Sequence, residues 1–162
     1  MTTGYVQTAY SIYMNPGYEG QLFDLQKAEV VSKAAESSAI PFGRVVSRGT
    51  EDNQCVLGGV EPLGVSIRDL ARPGAFDGAA SVSYLEDQTA SVLMAGWIYL
   101  KAPAGATAGD AVKYNTTTGV IGAGAAGSGE AELPGATWEK TVGSGAVGPV
   151  RIVANSNTVA GS

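Results

Sequence analysis

The segment from Thr89 to Gly122 constrains the fold more than any other part of the chain, because it predicts consecutive β-strands and contains no catalytic motif. Alternate side chains of a strand point to opposite faces of a sheet. In the apolar run 92–100 this alternation predicts two apolar faces, formed by Val92, Met94, Ile98 and Leu100 on one side and by Leu93, Ala95, Trp97 and Tyr99 on the other. A strand that is apolar on both faces is covered twice. We therefore expect a core on one face and a second sheet or a neighbouring subunit on the other.

The composition argues against catalysis. The chain has 162 residues, no histidine and a single cysteine, Cys55. It therefore lacks the commonest general base and metal ligand and cannot form an intrachain disulfide. We predict neither an enzyme nor a bound cofactor or metal.

Charge and hydropathy argue against two classes of partner. The net charge is −5, spread without any basic cluster. Such a surface repels phosphate, so we expect no nucleic acid and no attraction to a membrane. The run 92–100 is about half the roughly 20 residues of a membrane span. The first twenty residues lack the basic and apolar segments of a signal peptide, which predicts a product made in a cytoplasm.

Short apolar runs between Gly- and Pro-containing turns predict an all-β fold. We expect about eight to ten short strands in one barrel or sandwich-like domain over residues 21–162. Residues 21–38 leave a short helix or an extended stretch equally open. The turn Glu86–Gln88 predicts a hairpin between the strands 81–85 and 89–101. The Gly/Ala-rich segment 122–135 predicts an insertion that is mobile or lies on a partner, because it has little carbon to bury.

The first twenty residues predict an extended arm. They contain four of the seven tyrosines, with Gly, Asn and Pro between them and no helical period. Tyrosine is favoured at interfaces because it offers a large amphipathic surface at a low entropic cost. The alternative is an arm that folds back on its own domain.

Three patterns look like functional sites. Residues 122–127 match G-x-G-x-x-G, but no helix follows to bind a phosphate. The acidic pairs 51–52 and 86–87 fall in turns, where solvated charge explains them. Trp97 and Trp138 could form a platform for a sugar. The alternative function is therefore a carbohydrate-binding or host-adhesion module that uses Trp97, Trp138 or the loop 69–80.

A set of short motifs resembles a known family. They are AIPFGRVV at 39–46, LGVSIRD at 63–69, VLMAGWIYL at 92–100, GDAVKY at 109–114 and the pair Thr118-Gly119. Their order and spacing resemble the structural cement, or head decoration, proteins of tailed bacteriophages. The resemblance covers residues 17–121 and 137–153, and it leaves the segment 122–135 unmatched.

The resemblance implies a structural protein of the virion. Such a protein would be made in the bacterial cytoplasm and would bind the outer surface of the phage capsid, where it cements neighbouring subunits of the major capsid protein. It would also bind itself, as a homotrimer or alternatively as a dimer. The residues we expect at these capsid or subunit interfaces are Tyr5, Tyr10, Tyr13, Met14, Tyr18, Leu22, Phe23, Phe76, Trp97 and Tyr99.

Overall fold

The computed structural model describes residues 17–71 and 83–154, which form eleven β-strands and no helix. The strands are β1 (Leu22–Ala35), β2 (Ile40–Pro41), β3 (Val45–Arg48), β4 (Gln54–Leu57), β5 (Pro62–Ser66), β6 (Ser83–Tyr84), β7 (Thr89–Ala102), β8 (Ala111–Asn115), β9 (Ile121–Ala123), β10 (Glu130–Trp138) and β11 (Ala146–Ile152). The prediction of an all-β fold is confirmed. Since no helix is present in the described ranges, none there could cross a membrane.

Five strands close into a ring of paired strands. The order is β1, β4, β3, β5 and β7, and β7 pairs again with β1. The pairing of β1 with β4 is parallel, whereas the other four are antiparallel. Closing the ring leaves fewer unpaired strand edges than an open sheet of the same size.

A second layer extends from the C-terminal half of β7. That half pairs with β11 from Gly96↔Ile152 to Ala102↔Ala146, and β10, β8 and β9 follow in order. β7 is therefore shared, because its first half belongs to the ring and its second half begins the outer layer.

The described residues form two apolar cores. One fills the ring and contains Val46, Cys55 and Val92, with Ile40, Phe42 and Tyr84 beside them. The other lies between the two layers, where residues of the ring meet residues of the outer layer. Its members include Val45, Val65, Leu93, Ile98, Leu100, Val112, Tyr114, Trp138 and Val150.

The prediction of two continuous faces on β7 fails at Gly96. Val92 contributes to the core of the ring and Leu93 to the core between the layers, but beyond Gly96 it is Ile98 that enters the second core. Gly96 has a φ of 134°, and the register with β1 shifts on both sides of it. This irregularity exchanges the two faces. Met94, predicted to be covered, is 38% exposed.

Long-range pairing decides two local features. Residues 22–35, for which a helix and an extended stretch were equally open, form a strand, because β7 supplies main-chain hydrogen bonds along it. The predicted hairpin at Glu86–Gln88 is wrong. Its first strand, β6, pairs with β2 at Ile40↔Tyr84, since the Tyr84 ring packs against Phe42 in the core of the ring.

The Gly/Ala-rich segment 122–135, predicted to be an insertion that is mobile or lies on a partner, belongs to the sheet. It contains the end of β9 and more than half of β10, and β10 pairs with β8 from Glu130↔Asn115 to Glu132↔Lys113. Leu133 is buried. Main-chain pairing with β8 therefore supplies the support that the segment's own side chains could not.

Candidate functional site

The outer face of the second layer carries an apolar surface. Ile98, Leu100 and Val150 point into the core between the layers. Because side chains alternate along a strand, their neighbours point outward. We call this outward surface the aromatic face, and it consists of Phe23 from β1, Trp97 and Tyr99 from β7, and Pro149 from β11, which pairs directly with Tyr99.

Three rings on this face touch one another. The Phe23 ring lies 5.7 Å from that of Trp97 and 5.2 Å from that of Tyr99, measured between centroids. Phe23 is 49% exposed, whereas Trp97 and Tyr99 are half-buried. Contacting rings on two paired strands form a firm platform, which loses little side-chain entropy when a partner covers it.

A turn fixes the chain at the edge of this platform. Gln21 N donates to Tyr18 O (2.9 Å), and Gly20 has the positive φ of a type II turn. Gly20 N donates to Tyr99 O (2.8 Å). Gly17 lies so close to the Tyr99 ring that a Cβ on it would overlap the ring. Residues 17–20, predicted to belong to the arm, are thus packed on the domain.

Arg68 holds the other side of this turn. Its main-chain N donates to Gly20 O (2.7 Å), and its Nε donates to Glu19 O (2.8 Å). Its guanidinium lies over the rings of Tyr18 and Phe42, at 5.6 Å and 5.1 Å. Burial raises the pKa of the Glu19 carboxyl, and Arg44, Lys101 and Arg68 partly oppose that rise.

Charge is confined to the rim of the aromatic face. Arg151, which pairs with Trp97 across the strands, has its Nε 3.5 Å from a carboxylate oxygen of Glu139. Asp24 pairs with Trp97 from the other side. A centre of rings with a polar rim is the usual composition of a protein interface.

The second feature of the site is the outer edge of β1. Among the described residues, the part of β1 from Leu22 to Lys33 pairs with β7 alone, because β4 joins it only at Ala34 and Ala35. Two apolar side chains along it are solvent-exposed, Leu25 at 80% and Val30 at 48%. A long unpaired edge that exposes apolar side chains is a surface that another chain can extend.

The predicted interface residues divide into three groups. Tyr18, Phe23, Trp97 and Tyr99 come together at the aromatic face and its edge. Leu22 is directed into the core between the layers. Tyr5, Tyr10, Tyr13, Met14 and Phe76 lie outside the described residues.

Sequence reasoning missed Leu25, Val30 and Pro149. The first two are in a segment whose helical and extended interpretations were equally open, so their exposure could not be inferred. Pro149 lies in β11 although proline is rare within a sheet, so its residue type did not mark it as part of an apolar surface.

The alternative sites that the structure describes have little support in its geometry, and residues 72–80 of the loop 69–80 lie outside the described residues. Trp138 is fully buried and donates its ring N–H to Gly122 O (3.2 Å), so it cannot form a sugar platform with Trp97. Burial also raises the pKa of the Cys55 thiol. Within residues 17–71 and 83–154, no group of three or more His, Cys, Asp or Glu side chains is placed to hold a metal ion.

One family model matches most of the chain. The model of the family described as structural cement protein (E217 gp24/Pam3 gp6) matches residues 6–154. That range includes the segment 122–135, which the sequence motifs had left unmatched. No curated protein matches the sequence.

A solved structure shows the same fold. The chain is similar to a chain from the capsid of Myoviridae phage XM1, with a TM-score of 0.66 and 13% sequence identity. The similarity covers 92% of this chain and 98% of the other. At this identity the comparison shows a shared fold.

Proposed function

Because the chain belongs to the structural cement protein family and is therefore a structural protein of the phage virion, we propose that it binds the outside of the head and links neighbouring subunits of the major capsid protein. The observation that carries the proposal is the aromatic face. A cement protein needs an apolar surface already formed before it meets the capsid, and Phe23, Trp97 and Tyr99 supply one.

In this proposal the aromatic face rests on the capsid. Its rings cover apolar surface of the major capsid protein, and its rim charges, Asp24, Glu139 and Arg151, set the orientation. Burial of apolar area contributes about 25 cal/mol per Å² before the entropic costs of association. A firm platform reduces those costs, because its side chains are already ordered.

The second part of the proposal is a homo-oligomer, with a trimer as the first expectation and a dimer as the second. The tyrosine-rich segment 1–16 connects one copy to the next. Several linked copies that each touch the capsid hold it with an avidity that exceeds a single contact by roughly 10²- to 10⁴-fold. Pressure from packaged DNA must then break several contacts together.

We expect no enzymatic activity and no nucleic acid partner. The chain has no histidine, and its net charge is −5. The carbohydrate-binding alternative loses its platform, because Trp138 is buried. We therefore do not propose it as a second function.

The test is a binding experiment with phage heads that lack the protein. Heads are mixed with the purified chain and sedimented, and the bound protein is counted per capsid. The proposal predicts saturation at a number set by the capsid lattice and binding from the outside, visible by labelled antibody on intact heads. Absence of binding to heads before and after their expansion would contradict it.

A variant separates the aromatic face from other surfaces. Trp97→Ala removes the central ring of the platform and should lower head binding at least tenfold. Val60→Ala changes an apolar side chain that is 77% exposed in the turn between β4 and β5, and it should bind as the parent does. Equal loss in both variants would argue against the aromatic face as the contact.

A further inference from the structure

Within residues 17–71 and 83–154, the outer edge of β1 has no main-chain partner. Between Leu22 and Lys33 the described chain supplies hydrogen bonds from β7 on one side only. The register of β1 with β7 is regular from Val30 to Lys33, and before Val30 it shifts at three places, with Lys27 at a φ of 57°. Free N–H and C=O groups along such an edge bind another strand without requiring a particular sequence.

The chain contains a segment suited to this edge. Residues 1–16 have no charged side chain, and the stretch 5–14, YVQTAYSIYM, is rich in Tyr, Val, Thr and Ile. These residues favour extended structure. Its even-numbered positions, Val6, Tyr10, Ile12 and Met14 with Thr8 between, form one apolar face at a period of two. The segment has the pattern of a strand with one face to bury.

The geometry at Gly17 directs this segment away from the edge of its own β1. Gly17 lies against the ring of Tyr99, and Tyr99 belongs to β7, on the opposite side of β1 from the unpaired edge. The turn at 18–21 has the positive φ of a type II turn at Gly20. Type II turns splay the two strands that they join, so they rarely close a tight hairpin. Its own β1 is therefore poorly placed to receive the segment.

We propose that residues 5–14 of one copy add as an extra strand to the edge of β1 between Leu22 and Lys33 in a second copy. This inference rests on the proposed function, because it names the contact that links copies of the cement protein. The length is sufficient, since sixteen extended residues span about 50 Å. The added strand would cover the edge that Leu25 and Val30 leave exposed, which also protects it from aggregation.

Main-chain pairing suits a linking role. It gives affinity from hydrogen bonds along the strand, and it ties each copy to the next by exchange of the same element. The aromatic face remains free for the capsid, because its side chains lie on the sheet surface and not along the β1 edge.

The test is a photo-crosslinking experiment on the full chain. One copy carries benzoylphenylalanine in place of Tyr10. It is co-expressed with a second copy that carries Ser32→Thr, so that the added methylene group marks the second copy's β1 by mass. After irradiation and digestion, the peptide joined to residue 10 is identified by mass spectrometry.

The proposal predicts cross-links to residues 22–33. The fraction of these cross-links that carries the mass of the added methylene group should match the marked copy's share of the protein. Cross-links only to unmarked β1 would show that the segment folds back on its own copy and would overturn the proposal. Cross-links to another surface, or none, would overturn it as well.

Edge variants provide the matched control. Leu25→Lys and Val30→Lys place charge on the edge and should lower the marked cross-link at least fivefold, whereas Leu85→Lys, at an exposed position after β6, should leave it unchanged. The experiment uses the protein without capsids. Failure of the cross-link with normal head binding would therefore reject the strand exchange and leave the proposed function intact.

Discussion

The ring of Phe23 meets the ring of Tyr99 edge-on, with centroids 5.2 Å apart and planes inclined by 61°. Phe23 belongs to β1 and Tyr99 to β7, so the contact crosses two paired strands on the outward face. Edge-to-face pairs are worth about 0.5–1.5 kcal/mol beyond the area that they bury. The contact keeps the aromatic face in one arrangement before any partner is present.

Phe23→Ser should weaken head binding much more than it lowers stability. The side chain is half exposed, so its loss should reduce the free energy of unfolding by about 1 kcal/mol, mostly through the two ring contacts. Sedimentation with undecorated heads should show a loss of at least tenfold in affinity. Leu85→Ser, an exposed apolar position outside the aromatic face, serves as the control. A Phe23→Ser protein that decorates heads normally would remove Phe23 from the contact.

Gly96→Ala should destabilise the chain because the position needs both a positive φ and space. Gly96 has a φ of 134°, and a Cβ would lie 3.2 Å from Ala28 Cα. We expect a loss of about 2–4 kcal/mol in urea unfolding, since backbone strain alone costs about 1–3 kcal/mol.

Gly109→Ala separates the two causes. Gly109 also has a positive φ, 94°, but a Cβ there meets nothing within 4 Å. Its loss should be smaller than that at Gly96. Equal losses would mean that the contact with Ala28 contributes nothing.

The aromatic residues of the site could be predicted from sequence, but their orientation could not. The alternation along 92–100 identified Trp97 and Tyr99 as one face of a strand. It could not reveal that Gly96 exchanges the faces, because a bulge depends on the register with the partner strand. For the same reason Met94 was expected to be covered and is exposed.

Pairing between distant segments was the other limit of the sequence. The short turn at Glu86–Gln88 indicated a hairpin, but packing of Tyr84 against Phe42 draws β6 to β2. The segment 122–135 looked unable to fold because its composition was considered alone. β8 supplies the hydrogen bonds that composition does not reveal. Local patterns thus gave the fold class, whereas long-range pairing decided the topology.

Glu19→Gln should change how stability depends on pH. Burial raises the pKa of Glu19 above its ordinary value of 4.5, so the unfolded chain loses this proton at a lower pH than the folded chain does. Stability from this group is therefore complete below pH 4.5 and falls as pH rises through the raised pKa. Gln resembles the protonated form and should not show that fall.

Urea unfolding across this pH range tests the prediction. The difference in unfolding free energy between Glu19→Gln and the parent should grow in favour of the variant as pH rises above 4.5. Hydrogen bonds lower the pKa values of Glu36 and Glu130, but both proteins share these groups, so their contribution cancels in the difference. A difference that stays constant with pH would show that Glu19 is ionised equally easily in both states.

Tyr114→Phe should lower stability without changing the fold. The buried Tyr114 donates its hydroxyl to Gly59 O (2.9 Å), which joins the outer layer to the turn between β4 and β5. Loss of this bond leaves the Gly59 carbonyl with one partner fewer, at a cost of about 1–2 kcal/mol. Thermal unfolding should show a lower midpoint, with an unchanged circular dichroism spectrum at room temperature. An unchanged midpoint would mean that water replaces the hydroxyl without cost.

Two truncations should distinguish the N-terminal segment from the turn that anchors it. Removal of residues 1–16 should leave the unfolding free energy of the domain unchanged, because the proposed strand exchange places this segment on a second copy. Removal of residues 1–20 also deletes Gly20, which bonds to Tyr99 and Arg68, and the Glu19 carbonyl, which accepts from the nearly buried Arg68 side chain. Loss of one acceptor of the Arg68 guanidinium and of two main-chain bonds should cost about 2–4 kcal/mol in urea unfolding. Equal stability of the two truncated proteins would show that the turn at 18–21 does not support the domain. A loss already present without residues 1–16 would mean that this segment packs on its own copy.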